Sequence, residues 1–156
     1  MKKNILLILT IIFLSCGTSK TVRESKKEIK GNWALTTIEY SESGDFNVNL
    51  LNDVSKECFE GSSWNFVPNN NTGTYFITKN ECSDGARNFI FTIQEVNPET
   101  GLYDFLLKPT DKKYKSSTNQ GFRLQLTSLS ETNMQWQQTV SLEGEPFTIS
   151  MNFKKL

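Results

Sequence analysis

The sequence predicts an all-β fold: an eight-stranded antiparallel up-and-down β-barrel, with a short helix or long loop between its first two strands. Three observations predict it. From Gly31 onward apolar and polar residues alternate, most clearly in Phe122, Leu124, Leu126, then Met134, Trp136, Gln138, Val140, Leu142, then Phe147, Ile149, Met151, Phe153. A period of two is that of a sheet with one dry and one wet face. The segments NNNTG (69–73), NPETG (97–101), SETN (130–133) and EGEP (143–146) separate the runs with turn-forming residues,, and connections this short join antiparallel neighbours. Finally, eight such runs with a single apolar face can close on themselves and leave no exposed edge.

The chain opens with Lys2, Lys3 and an apolar stretch from Ile5 to Leu14 broken only by Thr10. A positive start and a short apolar run make a secretory signal, too short for the roughly 20 residues of a membrane span. Ser15 directly before Cys16 narrows the reading. The run Phe13, Leu14, Ser15, Cys16 resembles the bacterial lipoprotein signal, which is cut before a cysteine whose thiol carries diacylglycerol. The resemblance implies a signal peptide over 1–15 and lipid attachment at Cys16, each buried methylene contributing about 0.8 kcal/mol to the anchor. The plain alternative is an ordinary signal that leaves Cys16 as an odd thiol, a liability in an oxidising compartment. Residues 16–30 follow as a tether. Their one Val and one Ile among charged and polar residues are too few to pack alone,. A second reading holds this basic stretch against anionic head groups, diluted by Glu24 and Glu28.

The barrel domain is expected over 31–156. Its strands are 32–40, 62–68, 73–80, 88–96, 102–109, 121–129, 133–142 and 146–154,. Two connections are long. In 41–61, Asp53 is placed to cap a short helix carrying Val54 and Cys58, with Leu50, Leu51 and Phe59 left for packing. The other, 110–120, is polar and basic. An eight-stranded barrel is wide enough to be filled by side chains or to hold one small ligand.

Gly31, Asn32 and Trp33 open the first strand of this meander, and the motif resembles the Gly-x-Trp of lipocalins. The run from Cys58 to Tyr75, C…SSWNF…NNNTGTY, resembles lipocalin-like lipoproteins of Bacteroidetes-type bacteria in particular. The resemblance covers residues 31–156 and implies a barrel with an internal site for a small apolar molecule, and no catalysis. In lipocalins the Trp packs at the closed end against an Arg of a late strand; here the last strand ends in Lys154 and Lys155.

Cys58 and Cys82 flank the hairpin of the second and third strands. Pairing across a 69–73 turn brings them within two residues of facing each other, so a disulfide is expected at the hairpin's open end. Candidates to line the barrel are Trp33, Trp64, Phe66, Phe89, Phe91, Leu124, Trp136 and Ile149. The same residue types would equally fill it as core, and both readings stand at this level.

The chain holds 17 basic and 17 acidic residues and no histidine. Loss of Lys2 and Lys3 with the signal leaves 15 against 17, which gives no electrostatic footprint for nucleic acid. Without histidine the commonest general base and metal ligand are missing. Glu81 and Asp84 share a turn, where acids are normally solvated, and no nucleophile motif or phosphate-cradling loop is present. The expectation is a non-enzymatic lipoprotein without cofactor or metal, held at the outer membrane of a Gram-negative-type envelope. It would bind or shield a small hydrophobic ligand. A protein-interaction module with a filled core is the alternative: an envelope assembly component or an inhibitor of a lytic enzyme, its site on 41–61 or 110–120.

Overall fold

A computed structural model describes residues 19–82, 85–97 and 102–156; the expected signal peptide 1–15, Cys16 and Asp84 lie outside the described residues. The elements run α1 (Lys20–Ile29), β1 (Gly31–Tyr40), β2 (Asn49–Leu50), β3 (Val54–Ser55), α2 (Lys56–Phe59), β4 (Ser63–Val67), β5 (Thr72–Ile77), β6 (Gly85–Asn97), β7 (Leu102–Thr110), β8 (Phe122–Leu129), β9 (Asn133–Leu142) and β10 (Glu145–Lys155). Strands β4 to β10 pair in chain order, and β1 closes the ring between β10 and β4. All the barrel pairings are antiparallel. The eight expected strands are thus β1 and β4 to β10.

Alternation along these strands puts most of their apolar positions inside; Val140 and Leu142, expected on the dry face, are exposed where β9 runs out past the barrel core. Leu124 and Leu126 on β8, Met134 and Trp136 on β9, and Phe147, Ile149, Met151 and Phe153 on β10 are all buried. In β1 the register slips between Leu35 and Thr37. This bulge restores the inward side at Ile38, so that Leu35 and Ile38 are both buried,. The β4–β5 hairpin turns one residue earlier than expected: Val67 opposes Thr72, with Asn71 in the left-handed region at φ 55°. Gly73 sits where β5 crosses the Phe89 ring. A Cβ there would lie 2.3 Å from the ring and 2.7 Å from the Asn65 carbonyl oxygen, so this strand position admits only glycine.

Two segments differ from the sequence expectation. Residues 20–29 of the expected tether form α1, packed across one end of the barrel. Ser19 caps it by accepting a hydrogen bond from the Val22 amide at 3.3 Å, and Val22, Ser25 and Ile29 are buried. Its last carbonyls, which a helix leaves unpaired, are met by barrel side chains. The Trp33 indole N–H donates to the Ile29 carbonyl at 2.8 Å, and the Lys155 ammonium donates to the Glu28 carbonyl at 2.6 Å. Lys155 Nζ also lies 5.1 Å from the Trp33 ring centre, within cation–π range. The cation over Trp33 is thus a lysine of the last strand, where the lipocalin resemblance implies an arginine. Lys26 adds a bond to the Asn71 side chain at 2.7 Å. Two apolar residues suffice because the helix is held by partners remote in sequence.

The second difference is in 41–61. The short helix is α2, four residues long and preceded by Ser55, and a small β2–β3 hairpin comes before it. Asp53 does not cap α2; it faces the barrel mouth. Leu50, Leu51 and Phe59 are buried as expected. Phe59 packs on Trp64 and Tyr75 with ring centres 6.1 and 5.5 Å apart.

Cys58 of α2 and Cys82 beyond β5 form the expected disulfide, with Cα atoms 5.8 Å apart. It ties α2 to the open end of the β4–β5 hairpin. At a sequence separation of 24, the chain-entropy model gives a contribution on the order of 3 kcal/mol. The double variant Cys58→Ala/Cys82→Ala should lose about that much in denaturant unfolding. An unchanged midpoint would show that the bond constrains nothing in the unfolded chain.

Candidate functional site

The barrel centre is filled. All eight residues expected to line a cavity are buried, none more than 2% exposed, and the aromatic ones pack on one another. Trp136 stacks on Phe105 at 4.6 Å and meets Phe153 at 4.7 Å. Trp64 stacks on Tyr75 at 4.4 Å and stands edge-on to Trp136 at 5.5 Å. Phe66 bridges to Phe89, Phe91 and Trp136 at 5.5, 5.6 and 5.7 Å. Such spacings are those of contacting rings. Leu124 and Ile149 complete the core, and Trp33 closes the α1 end. Of the two readings left open by the sequence, filling describes these residues and lining does not. The physical reason is bulk: aromatic rings from β4, β6, β7, β9 and β10 converge on a barrel only wide enough for side chains.

At the opposite end from α1 the barrel opens into a cleft of about 580 Å³. Its walls come from β5 (Tyr75), β6 (Arg87), the end of β7 (Pro109, Thr110), the start of β8 (Phe122), the β2–β3 hairpin (Leu51, Asn52, Asp53) and the loop 111–121. That loop is shaped by Asp111, whose carboxylate accepts the Lys113 and Lys115 amides, each at 2.8 Å. The β2–β3 turn carries Leu51 and Asn52 at φ 51° and 54°. A bulky Leu is strained there. Its side chain is nonetheless buried, and the turn delivers Asp53 to the mouth.

Asp53 joins two inward polar side chains of this end. It accepts the Tyr75 hydroxyl at 2.8 Å and Arg87 Nε at 2.9 Å, with a longer contact of 3.4 Å from the second guanidinium nitrogen. Arg87 also donates to the Gly85 carbonyl at 2.7 Å. The cluster locks the hairpin onto the barrel and gives the cleft a polar floor. Nearby, Thr110 Oγ1 is buried without a hydrogen-bond partner among the described residues. The core has a similar atom in Trp136 Nε1, where rings surround the indole.

Sequence reasoning missed Tyr75, Arg87 and Asp53 as a group. The available signal was parity: Arg87 shares the inward side with Phe89 and Phe91, and a charge on a dry face requires a partner. A depression of about 610 Å³ also lies on the outer wall of β6 to β8. Its cations are engaged with neighbours, Lys108 with Asn119 and Arg123 with Asp104. Among the described residues no three His, Cys, Asp or Glu side chains converge as metal ligands would.

Burial holds the Tyr75 phenol well above its ordinary value, the hydrogen bond to Asp53 and that carboxylate's charge add to the rise, and Arg87 opposes it. Below about pH 10, both folded and unfolded chains keep this proton and it contributes no pH dependence. Above that, the unfolded chain releases it while the native chain holds it, so stability falls as pH rises. The slope from one such group approaches about 1.4 kcal/mol per pH unit. Tyr75→Phe should remove that portion of the alkaline slope, with a remainder from Tyr40, whose phenol burial also raises. Denaturant titrations on either side of pH ~10 check this; an unchanged slope would place Tyr75 in water.

No protein-family model matches this chain, and no curated protein matches it in sequence. Among solved structures, it is similar to a lipocalin-like protein from Bacteroides uniformis ATCC 8492. The match has a TM-score of 0.50 at 12% identity and covers 83% of this chain and 99% of that one. At this identity the likeness is one of fold: the chain is a closed, eight-stranded antiparallel barrel of lipocalin-like architecture.

Proposed function

We propose that the protein is a non-enzymatic, lipocalin-like binding protein of a Gram-negative-type envelope. It is anchored through Cys16 and takes a small amphipathic molecule at the barrel mouth. The observation that carries the ligand site is the open-end cleft of about 580 Å³. That volume and the mouth of a β-barrel both suit a small-molecule site of apolar walls with a few converging polar groups. Leu51, Pro109 and Phe122 supply apolar surface. The polar groups are the Asp53–Arg87–Tyr75 cluster and Thr110, whose buried hydroxyl a ligand oxygen or amide would satisfy,. The filled centre restricts the ligand. A short apolar body with a hydrogen-bonding group fits, whereas a long acyl chain has no channel between the rings. The anchor rests on the Phe13–Cys16 signal, and the balanced charge argues against nucleic acid.

A second reading is supported by the same end of the molecule. Tyr114, Val140 and Leu142 are 38, 37 and 39% exposed on the loop and strand ends around the mouth. Exposed apolar side chains near the mouth offer contact to a protein partner, although Val67, Phe76 and Leu156 are exposed elsewhere, and a filled core suits an interaction module. An envelope protein would then be the occupant.

Solvent extraction of the purified native protein, followed by mass spectrometry, separates the two. A co-purifying amphiphile is expected. Thr110→Val should weaken its rebinding by about 1–2 kcal/mol, and Phe122→Ala should also weaken it, both without loss of fold. Trp136→Ala is the contrasting variant: it should cost about 3–5 kcal/mol of stability as a deleted core aromatic. It should leave the affinity of the surviving folded fraction unchanged. An empty extract, together with a native protein that binds no amphiphilic probe, would remove the ligand reading and leave the interaction module.

A further inference from the structure

Helix α1 separates charges that the linear sequence mixes. At about 100° per residue, Lys20, Arg23 and Lys27 fall within an arc of roughly 60°, and Lys30, the C-cap, continues that side. All four are exposed. They lie opposite Val22, Ser25 and Ile29, the residues buried against the barrel. The acids lie on one flank of this arc: Glu24, exposed and about 40° from Lys20, and Glu28 line a groove with Thr21 and Ser25 against Tyr103 and 126–129. One contact crosses between the groups, from Lys20 to Glu24 at 3.8 Å, an exposed pair of the kind that contributes little. The helix's other cation, Lys26, is bonded to Asn71 and stands outside the stripe.

The position of this stripe matters because of chain length. Only residues 17–19 separate Cys16 from α1, and the four steps from Cys16 to Lys20 span at most about 14 Å. The expected 16–30 tether would have allowed the barrel to drift. A docked helix does not. An acyl-bearing Cys16 holds the start of α1 within about two Debye lengths of the head groups at physiological salt. The face turned away from the barrel end is then a row of cations.

We propose that the Lys20–Arg23–Lys27–Lys30 face of α1 is a membrane-apposed surface that seats the closed end of the barrel on anionic head groups, leaving the mouth pointed away from the bilayer. The tether in this proposal rests on the Cys16 anchor proposed above; the surface itself does not. Each cation near an anionic surface contributes about five-fold to partitioning, so the face acts as a second membrane signal beside the acyl chains and fixes the barrel's orientation.

Lysine acetylation of the full chain tests this. The protein is purified from membranes, weighed by intact mass for acyl groups, and reconstituted into phosphatidylcholine vesicles with and without phosphatidylglycerol. On phosphatidylglycerol vesicles Lys20, Lys27 and Lys30 should acetylate several-fold more slowly than on phosphatidylcholine alone. Lys112, Lys113 and Lys115 of the mouth loop should keep their rates. The protection should vanish at about 1 M salt, where the screening length falls to about 3 Å. Equal rates at the two ends on both vesicles, or slowing at the mouth loop instead, would overturn the proposal. If the mass shows no acyl group, the anchor reading fails by itself and the surface is judged by co-sedimentation of the unacylated chain. The triple variant Arg23→Gln/Lys27→Gln/Lys30→Gln, checked for native thermal unfolding, should then partition on the order of a hundred-fold less onto the anionic vesicles. An unmodified chain that does not sediment with them at all would overturn the surface.

Discussion

The contact on which the rest of the molecule depends is the edge-on meeting of Trp64 and Trp136 at the barrel centre, 5.5 Å between ring centres. Each ring is the hub of its own stack, Trp64 with Tyr75 and Trp136 with Phe105. Together they join β4 and β5 to β7 and β9 across the interior. Because these rings occupy the middle, the inward side chains of the described barrel pack on one another rather than around a hollow. The chemistry is displaced to the two ends, and the ends differ. One is closed by a helix over Trp33, while the other is open and floored by charged groups resting on Tyr75. Tyr75 belongs to both regions, its ring in the stack and its hydroxyl on Asp53. The polar floor is therefore positioned by the aromatic core.

The closed end is a reciprocal arrangement. Helix α1 is too polar to fold alone, and the barrel end, without it, would expose Trp33 and the apolar ring of side chains behind it. The Trp33 indole, the Lys155 ammonium and the Lys26–Asn71 bond together hold the helix in place. Lys155 acts twice, as donor to the helix C-terminus, where a cation also complements the helix dipole, and as cation over the Trp33 ring. A lysine meets both requirements because its ammonium offers three donors at the end of a flexible stem.

The strands were legible in the sequence because each declares itself locally, through alternation and bracketing turns. The disulfide was legible because only two cysteines remain after Cys16 and a short hairpin lies between them. Helix α1 was not legible. Its stripe of Val22, Ser25 and Ile29 is one residue short of an ordinary apolar face, and its stabilising partners Asn71 and Lys155 lie 45 and 127 positions from the residues they bind. The role of Asp53 was misread for a related reason. An Asp before a short apolar run looks like a helix cap, and only the closed barrel brings Arg87 and Tyr75 to it. The lining candidates were correctly placed inside, but the residue types of a lining and of a filling are the same. Only ring-to-ring distances separate them.

These features make the two ends of the barrel differ in build rather than in net sign. The cations of α1 stand on one face of the closed end, while in the mouth Asp53 and Asp111 sit beside Arg87 and a loop that carries Lys112, Lys113 and Lys115. There the acids serve structural purposes: Asp53 clamps Tyr75 and Arg87, and Asp111 folds the loop beside them. A solid barrel is well suited to this division of roles. Close-packed interiors resist deformation, so a helix seated at one end and a cleft shaped at the other are held at a fixed separation by the rings between them. In such a body the mouth's position relative to any surface under α1 is set by packing, and a ligand or partner at the mouth would meet a site of fixed height and direction.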